Sequence, residues 1–343
     1  MGAEPVQLGA SGLKVSPMCL GAMMFGGQTD LASARRIADM CLERGVFFWD
    51  TADMYNRGAS EEVCRALMAG RRQQIVLATK VYAPMGDGPN DRGLSARHII
   101  AACEASLRRL GTDWIDLYYL HIPDRSVPIE ESLRAMEDLV RAGKVRYVGC
   151  SNYRAWEVVE MVSLARARGW QPITAMQPLY NIVNRDIEVE LLPMAKRFGL
   201  GVVSYSSLAR GILTGKYSWD RPAPEGSRLA RQDRRLLQAE WREASIEVAH
   251  QLLPLAEARG CTPSQMATAW AMANRLVHSV IIGPRTVAHA QDALGALDVE
   301  IDDALEAAVD ALVPPGTHSG RHWPDEQYPI IGRERDALHL NGC

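Results

Sequence analysis

The sequence lacks the features of a membrane, secreted or nucleic-acid-binding protein. Its 343 residues include 38 basic and 41 acidic side chains, and the net charge of −3 leaves no basic excess to attract nucleic acid. No stretch of about 18 uncharged apolar residues is present, so no membrane-spanning helix is expected. The first residues contain neither the basic segment nor the apolar run of a secretory signal. The hydrophobic fraction of 47% and the charged fraction of 23% are instead typical of a globular protein.

Paired cysteines are also missing. The chain has seven cysteines with no Cys-x-x-Cys pair, at positions 19, 41, 64, 103, 150, 261 and 343. An odd number of widely spaced thiols in apolar segments is typical of a reduced cytoplasmic protein. We therefore expect mostly buried thiols, a cytoplasmic location and no disulfide framework.

Short apolar segments alternate with helical patterns along the whole chain. Eight of them are predicted strands: Lys14–Gly21, Val46–Thr51, Ile75–Lys80, Ile115–His121, Val145–Ser151, Ile173–Gln177, Gly201–Ser206 and Ser279–Gly283. Strands that alternate with helices pair in parallel, in an open sheet or in a closed barrel. The first strand leads into GAMMFGG, which lacks the G-x-G-x-x-G spacing of an open nucleotide-binding sheet. The count of eight strands therefore favours an α/β fold of the (β/α)8 TIM-barrel type.

Two helices have ends that the sequence indicates. Ser95 can cap a helix that stops at Gly111. Ser60 can cap the helix before it. Caps at these positions support a regular alternation of strands and helices.

The length suggests more than one domain, because about 150 residues per domain would divide the chain into two. No linker or low-complexity stretch divides it, however, and α/β barrels are larger than most domains. We therefore expect residues 1–343 to form a single barrel domain, with a long loop at about 209–244 and an irregular tail at 314–343. The arginine-rich part of that loop, Arg228–Arg242, also contains acidic residues, which favours a solvated face or a lid over a nucleic-acid surface.

Polar residues follow successive predicted strands at the end where barrel enzymes hold their active sites. Asp50, Lys80 and His121 lie at the ends of the second, third and fourth strands, and Tyr55 follows the second. A phenol has a pKa of about 10, which a neighbouring ammonium lowers. Lys80 could thus make Tyr55 a proton donor, with Asp50 fixing the lysine. His121 could orient a carbonyl oxygen, which suits general acid catalysis as a hydride reaches carbon.

Longer motifs occur in a fixed order over nearly the whole chain. They are LGASGLKVSPMCLGAMMFGG, FFWDTADMY, VLATK, DLYYLH, VGCSNY, MQPLYN, VVSYSSLARGILTGKY and IIGPRT. By these motifs the sequence resembles the aldo-keto reductase superfamily. The resemblance implies a (β/α)8 barrel that uses NADPH without a Rossmann domain and reversibly reduces an aldehyde or ketone. It also implies that the catalytic tetrad is Asp50, Tyr55, Lys80 and His121, with Tyr55 as the general acid.

The resemblance further implies the residues of an NADP(H) site. Those expected at the nicotinamide are Ser151, Asn152, Gln177 and Tyr205. Those expected at the phosphates and the adenosine are Ser206, Leu208, Arg210, Gly211, Gly283, Arg285, His289 and Asp292. A guanidinium such as Arg285 suits a 2′-phosphate, so NADP(H) is expected over NAD(H). The chain departs from the family pattern at Ser207, where proline is usual, and at His289 and Ala293, where glutamine and asparagine are usual.

By the same resemblance, the substrate should be a small molecule held by a largely aromatic wall. The wall residues expected are Met24, Phe25, Tyr82, Ile122, Tyr153 and Trp219, with His318 and Trp323 as weaker candidates. Such a wall suits a bulky carbonyl such as a keto-sugar, a steroid-like ring or a toxin ketone. No catalytic metal is expected, because the first strand lacks His-x-His and Cys150 has no soft neighbour. The family also includes potassium-channel β-subunits, so the alternative is a cofactor-binding regulatory partner with little turnover.

Overall fold

The chain forms a closed barrel of eight parallel strands preceded by a short hairpin. The computed structural model describes residues 3–320. The strands are β1 (Val6–Gln7), β2 (Lys14–Val15), β3 (Met18–Gly21), β4 (Phe48–Asp50), β5 (Val76–Val81), β6 (Ile115–Leu120), β7 (Val145–Ser151), β8 (Ala175–Gln177), β9 (Gly201–Ser204) and β10 (Ser279–Ile282). Strands β3 to β10 follow one another in chain order around the barrel, and β10 closes it by pairing with β3. The predicted (β/α)8 fold is confirmed.

At least one helix connects each barrel strand to the next. The helices are α1 (Leu31–Glu43), α2 (Ala59–Met68), α3 (Ala96–Leu110), α4 (Ile129–Arg141), α5 (Ala155–Arg168), α6 (Leu191–Phe198), α7 (Arg234–Ala239), α8 (Glu243–Glu257), α9 (Pro263–Ala273), α10 (Val287–Gly295) and α11 (Asp303–Leu312). Three of them, α7 to α9, lie between β9 and β10. This connection therefore carries more structure than the others.

The N-terminal segment differs from the single strand predicted over Lys14–Gly21. Residues Lys14 and Val15 pair with β1 in an antiparallel hairpin, and the barrel strand begins only at Met18. Pro17 has no amide hydrogen to continue a ladder, so the chain changes pairing partner there. The hairpin brings the fully buried side chain of Leu8 against Gly201 at the start of β9. It thereby closes the end of the barrel at which the strands begin.

Alternation along the strands divides the core into two layers. The layer inside the barrel consists of Leu8, Val15, Cys19, Phe48, Ala78, Leu117, Tyr119, Ala175 and Val203. Neighbouring strand residues such as Leu20, Trp49 and Tyr118 point outward and pack against the helices. Gly149 leaves room for the Tyr119 ring, because a Cβ there would lie only 2.5 Å from it. Burial on both faces explains why the strands are apolar at consecutive positions.

The predicted helix caps are correct in one case and wrong in the other. Ser95 accepts a hydrogen bond from the first turn of α3, and Gly111 ends that helix with a φ of 61°. Ser60 does not cap α2. Its hydroxyl donates to the carbonyl oxygen of Ala22 at 2.7 Å and lies 2.8 Å from the Thr51 hydroxyl. Ser60 thus ties α2 to the loops that follow β3 and β4.

The long loop predicted after the seventh barrel strand contains ordered elements. A 3-10 helix spans Ala209–Thr214, α7 follows, and α8 begins at Glu243. Residues 314–320 of the predicted tail are described, and the amide of Ser319 donates to the carbonyl oxygen of Val183 at 3.0 Å. The rest of that tail, with Trp323, lies outside the described residues.

Two expectations from composition can be compared with the described part of the chain. Within residues 3–320, no helix is both long and apolar enough to cross a membrane. The described cysteines are all free thiols, and of these Cys261 is partly exposed while the others are buried. The expectation of mostly buried thiols is confirmed for these positions.

Candidate active site

Four polar side chains meet where β4, β5 and β6 end. Asp50 is the last residue of β4, Lys80 lies near the end of β5, and His121 follows β6. Tyr55 begins a short helical turn after β4. The Lys80 ammonium donates to a carboxylate oxygen of Asp50 and, at 2.7 Å, to the carbonyl oxygen of Thr51. It also donates to the Tyr55 hydroxyl at 3.3 Å, so the fold brings the predicted tetrad together.

Burial and charge oppose each other in this cluster. Burial alone would lower the pKa of Lys80, but Asp50 and Tyr55 raise it above its ordinary value. Burial raises the pKa of Tyr55, and the Lys80 charge opposes this only in part. The pKa of Tyr55 is therefore raised overall, whereas the sequence predicted that the Lys80 ammonium would lower it. The phenol therefore keeps its proton, beside an ammonium that can stabilise the phenolate.

His121 is a neutral imidazole. Burial, and after it the charge of Lys80, hold the pKa of His121 well below its usual value. The ring meets that of Tyr55 edge-on, with centroids 6.0 Å apart. Its Nδ1 is buried and has no hydrogen-bond partner within residues 3–320. A buried polar atom in this state is available to a ligand.

The residues expected at a nicotinamide form a hydrogen-bonded chain that begins at Asp50. Gln177 donates from Nε2 to the second carboxylate oxygen of Asp50 at 2.8 Å. The Ser151 hydroxyl donates to the carbonyl oxygen of Gln177 at 2.8 Å. Asn152, with a φ of 67°, accepts a hydrogen bond of 2.8 Å from the Tyr205 hydroxyl. These contacts hold the four side chains in place relative to the tetrad.

The segment after β9 has an unusual backbone. Ser206, Ala209 and Arg210 have φ values of 65°, 45° and 54°, and Gly211 has a φ of 99°. The amide of Arg210 donates to the Ser206 hydroxyl at 3.2 Å. Left-handed conformations of residues other than glycine cost energy and concentrate at functional sites. The four residues of this segment that were predicted to contact the cofactor, Ser206, Leu208, Arg210 and Gly211, line a cavity.

That cavity, of about 440 Å³, opens at the carboxyl ends of the strands. The predicted residues that line it are Met24, Asp50, Tyr55, His121, Ile122, Ser151, Asn152, Gln177, Tyr205, Ser206, Leu208, Arg210, Gly211, Gly283, Arg285, His289 and Asp292. Lys80 lies behind Asp50 and Tyr55 and is fully buried. The tetrad and the expected cofactor residues therefore share one space.

One half of the cavity is strongly basic. Arg285 donates to the backbone carbonyl oxygen of Gly226 at 3.0 Å, and within residues 3–320 no carboxylate pairs with it. Burial lowers the pKa of Lys216, and the charges of Arg285, Arg228 and Arg231 lower it further. Like charges held this close attract an anion. Arg210 adds a buried Nε with no partner among the described residues.

Part of this wall was missed by the sequence analysis. The missed residues include cations and methionines, among them Met23, Met54, Lys216, Arg228, Arg231 and Arg235. The run Arg228–Arg242 was interpreted as a solvated face or lid, because its acidic residues balance its charge. The position of this run after a barrel strand could have predicted its place in the cavity wall, because loops that follow barrel strands line the active-site face.

His289 and Asp292 lie on α10 beside the basic half of the cavity. Burial lowers the pKa of His289, and the charges of Arg285 and Lys216 lower it further, so the imidazole is neutral. Asp292 accepts a hydrogen bond from the Thr262 hydroxyl at 2.7 Å. One carboxylate oxygen of Asp292 is thus engaged in linking α10 to the start of α9.

Four of the expected substrate residues do not line the cavity. Phe25 is fully buried in the outer core, because the turn after β3 directs its ring inward. Tyr82 and Tyr153 lie outside the lining. Trp219 is half exposed and stacks on Trp241, with ring centroids 5.4 Å apart. The apolar side chains that do line the cavity near the tetrad are Met23, Met24, Met54 and Ile122.

The histidines weighed as metal ligands are not clustered. Within residues 3–320, no three His, Cys, Asp or Glu side chains are grouped so as to hold a metal ion. His318 contacts Asp186 at 2.9 Å, away from the cavity. Its suggested companion His322 lies outside the described residues.

The barrel, with polar side chains at the carboxyl ends of its strands, defines the class of (β/α)8-barrel enzymes. Within that class, the chain belongs to the Aldo/keto reductase family, whose model matches residues 17–314. It is 38% identical over 325 residues to a Bacillus subtilis protein named Uncharacterized oxidoreductase YrpG, covering 91% of this chain and 97% of that protein. Family and relative support an oxidoreductase.

Other relatives carry a different name. A protein of Oryza sativa subsp. japonica, named Probable voltage-gated potassium channel subunit beta, is 36% identical over 326 residues. The match covers 92% of this chain and 98% of the rice protein. An Arabidopsis thaliana protein of the same name is 38% identical over 298 residues, covering 85% of this chain and 90% of that protein.

Proposed function

We propose that the chain is an NADP(H)-dependent oxidoreductase that reversibly reduces an aldehyde or ketone to the alcohol. The observation that carries the proposal is the hydrogen-bonded set of Asp50, Lys80 and Tyr55, which opens on a cavity with a basic far half. One end of this cavity can move a proton, and the other can hold an anion. A redox reaction with a phosphate-bearing cofactor needs both.

The cavity suits NADP(H) by its donors and its charge. Arg210, Lys216 and Arg285 supply cations for a pyrophosphate and a 2′-phosphate. Gly283 lines the cavity with open space around its Cα, so a ligand can approach the backbone closely. Bound there, the cofactor supplies or accepts the hydride.

Proton transfer is the task of the tetrad in this proposal. Tyr55 donates its proton to the oxygen of the carbonyl group, and the fully buried Lys80 stabilises the resulting phenolate. Asp50 holds Lys80 and is itself held by Gln177. The neutral imidazole of His121 can donate one hydrogen bond to the same oxygen and orient it.

The wall near the tetrad narrows the class of substrate. Met23, Met24, Met54 and Ile122 are apolar, and methionine adapts its shape to different ligands. Among the bulky carbonyls suggested by the sequence, this wall favours a steroid-like ring or another apolar ketone over a keto-sugar. The surface of a sugar would leave hydroxyl groups unpaired against methionines.

The buried free thiols support a reducing compartment, and we infer a cytoplasmic location. The partner proposed for the site is a small carbonyl or alcohol. No nucleic-acid or membrane partner is proposed, in keeping with the near-neutral charge.

Replacing Tyr55 by phenylalanine tests the proposed reaction. Tyr55→Phe removes the proton donor and keeps the ring, so turnover on a panel of aldehydes and ketones should fall by about a hundredfold or more. NADPH affinity, measured by fluorescence titration, should change by less than about threefold. Tyr147→Phe is the matched control, since Tyr147 lies on β7 away from the cavity. Full activity in Tyr55→Phe contradicts the mechanism.

A second candidate function is a regulatory partner that binds the cofactor with little turnover. The relatives named as potassium-channel subunits favour it. Wild-type protein that keeps NADP(H) through purification but turns over none of the panel would support this role over the enzyme.

A further inference from the structure

Asp53 is a buried carboxyl group that the proposed proton transfer does not use. It lies between Asp50 and Tyr55 in the chain, and its side chain is fully buried. Neither of its carboxylate oxygens has a hydrogen-bond partner of normal geometry among residues 3–320. An ionised carboxylate without partners is far more costly to bury than a neutral carboxyl. Geometry alone therefore favours a protonated Asp53.

A buried acidic neighbour adds to this effect. Glu61 on α2 is also fully buried. It accepts a hydrogen bond from the Thr79 hydroxyl at 2.6 Å and one from Arg109 Nε on α3 at 2.6 Å. The charge of Arg109 is thus matched by Glu61. A buried carboxylate that is already paired with the guanidinium disfavours ionisation of the second, unpaired group.

The other groups that face Asp53 only partly oppose these effects. Burial and then Glu61 raise the pKa of Asp53 to about 7, although the Met54 amide, Arg109 and Lys80 lower it. Tyr118 on β6 also lies near, and burial raises its own pKa well above the usual value. Lys80 is already paired with Asp50 and cannot serve as a dedicated partner.

We propose that Asp53 is a positioning residue, neutral at mildly acidic pH, whose ionisation at higher pH weakens the support that Lys80 gives to the Tyr55 phenolate. An ionised Asp53 adds a second negative charge near Lys80, which then offsets less of the phenolate charge. Alcohol oxidation needs the phenolate as the proton acceptor, so it is opposed once Asp53 ionises. The inference rests on the proposed function only in its use of Tyr55.

Infrared difference spectroscopy tests the protonation state without any activity. The spectrum of the wild type minus that of Asp53→Asn should contain the C=O stretch of a carboxylic acid at about pH 6. At about pH 8.5 carboxylate bands should replace it. Glu61→Gln frees Arg109 to pair with Asp53, so this variant should lose the acid band at about pH 6. A wild type without the acid band, or a Glu61→Gln variant that keeps it, overturns the proposal.

The dependence of stability on pH is a second test. The carboxyl titrates at about 3.9 when unfolded and at about 7 when folded. The folded wild type therefore loses stability relative to Asp53→Asn as the pH rises from about 4 to about 7, and the difference is constant above that. Melting temperatures of the two proteins should diverge over this range. A difference that does not change with pH contradicts the proposal.

The pH profile of alcohol oxidation tests the coupling to Tyr55. Values of kcat/KM for the wild type and Asp53→Asn should follow the same curve below about pH 6. Above neutral pH, the rise should occur about half a pH unit lower in Asp53→Asn. Asp113→Asn, at an exposed position before β6, is the control and should follow the wild type. If the infrared acid band is present but the pH profiles of the wild type and Asp53→Asn are the same, the coupling to Tyr55 is overturned. A wild type that is inactive contradicts only the proposed function.

Discussion

Arg285 lies just before α10 and lines the basic half of the cavity. Among the described residues its guanidinium donates only to neutral acceptors, such as the backbone carbonyl oxygen of Gly226. A guanidinium in this state can form two charge-assisted hydrogen bonds with a phosphate. The 2′-phosphate, which distinguishes NADP(H) from NAD(H), is therefore the ligand we expect at this residue.

Replacing Arg285 by alanine should change cofactor preference. A charge-assisted contact contributes about 1.5–3 kcal/mol, so Arg285→Ala should weaken NADPH binding by about 10- to 150-fold. Binding of NADH should change by less than about threefold, because NADH has no phosphate at that position. Titrations with both cofactors measure this, with Arg166→Ala on α5 as the control. An equal loss for the two cofactors would refute the 2′-phosphate assignment.

Residue identity at strand ends could be predicted, but side-chain direction in loops could not. Asp50, Lys80 and His121 lie at or next to the ends of strands whose apolar runs indicate the boundaries. Phe25 and Met54 lie in loops, where contacts distant in sequence decide direction. Asn56 donates to the carbonyl oxygen of Phe25 at 2.7 Å, which fixes that turn while the ring enters the core. Met54 remains 41% exposed and lines the cavity, with no periodic pattern to predict it.

At the scale of elements, the segment between β9 and α8 is tied to the barrel by a buried polar cluster. Asn184, in the loop after β8, donates to Glu240 at 2.6 Å and accepts from Arg242 at 2.9 Å. Arg242 also donates to the Ser319 hydroxyl at 3.2 Å, so the segment after α11 joins the cluster. Glu240 in turn accepts from the hydroxyl of Ser206, which lines the cavity, at 3.4 Å. The cluster therefore links the cavity wall to two loops.

Replacing Asn184 by alanine should weaken the attachment of the segment between β9 and α8 to the barrel. Asn184→Ala removes one of the hydrogen bonds to the fully buried Glu240, at a cost of about 1–3 kcal/mol. Hydrogen exchange should become faster in residues 205–240, and NADPH should dissociate faster. Ser218→Ala, which removes an exposed contact to Asp220 in the same segment, is the control. Unchanged exchange in Asn184→Ala would show that the cluster does not hold the segment.

The existence of the elements was easier to predict than their connections. Short runs of consecutive apolar residues predicted the barrel strands, and Ser95 with Gly111 predicted the ends of α3. The cluster around Asn184 joins residues 56 positions apart in sequence, as in the contact to Glu240, so no local pattern indicates it. The same limit applies to Ser60, whose partner Ala22 lies 38 positions away.

At the scale of the whole molecule, the two ends of the barrel differ: one holds the candidate active site, and the N-terminal hairpin closes the other. The cavity lies where the strands end, and the hairpin β1–β2 lies where they begin. The division of the chain into two domains suggested by its length is wrong, because β3 to β10 form one closed barrel. The hairpin was not predicted, because Lys14–Gly21 was interpreted as one strand although Pro17 interrupts the pairing.

Leu8 offers a test of this separation between the two ends. It is fully buried in the inner core against Gly201, and Leu8→Ala would leave a cavity at the base of the barrel. The free energy of unfolding in urea should fall by about 2–5 kcal/mol. Leu31→Ala, at a side chain that is 45% exposed, should change it by less than about 0.5 kcal/mol. At temperatures where the variant is folded, kcat/KM should stay within about twofold of the wild type, because the tetrad lies at the opposite end. A loss of activity without a loss of stability would mean that the two ends are coupled through the inner core.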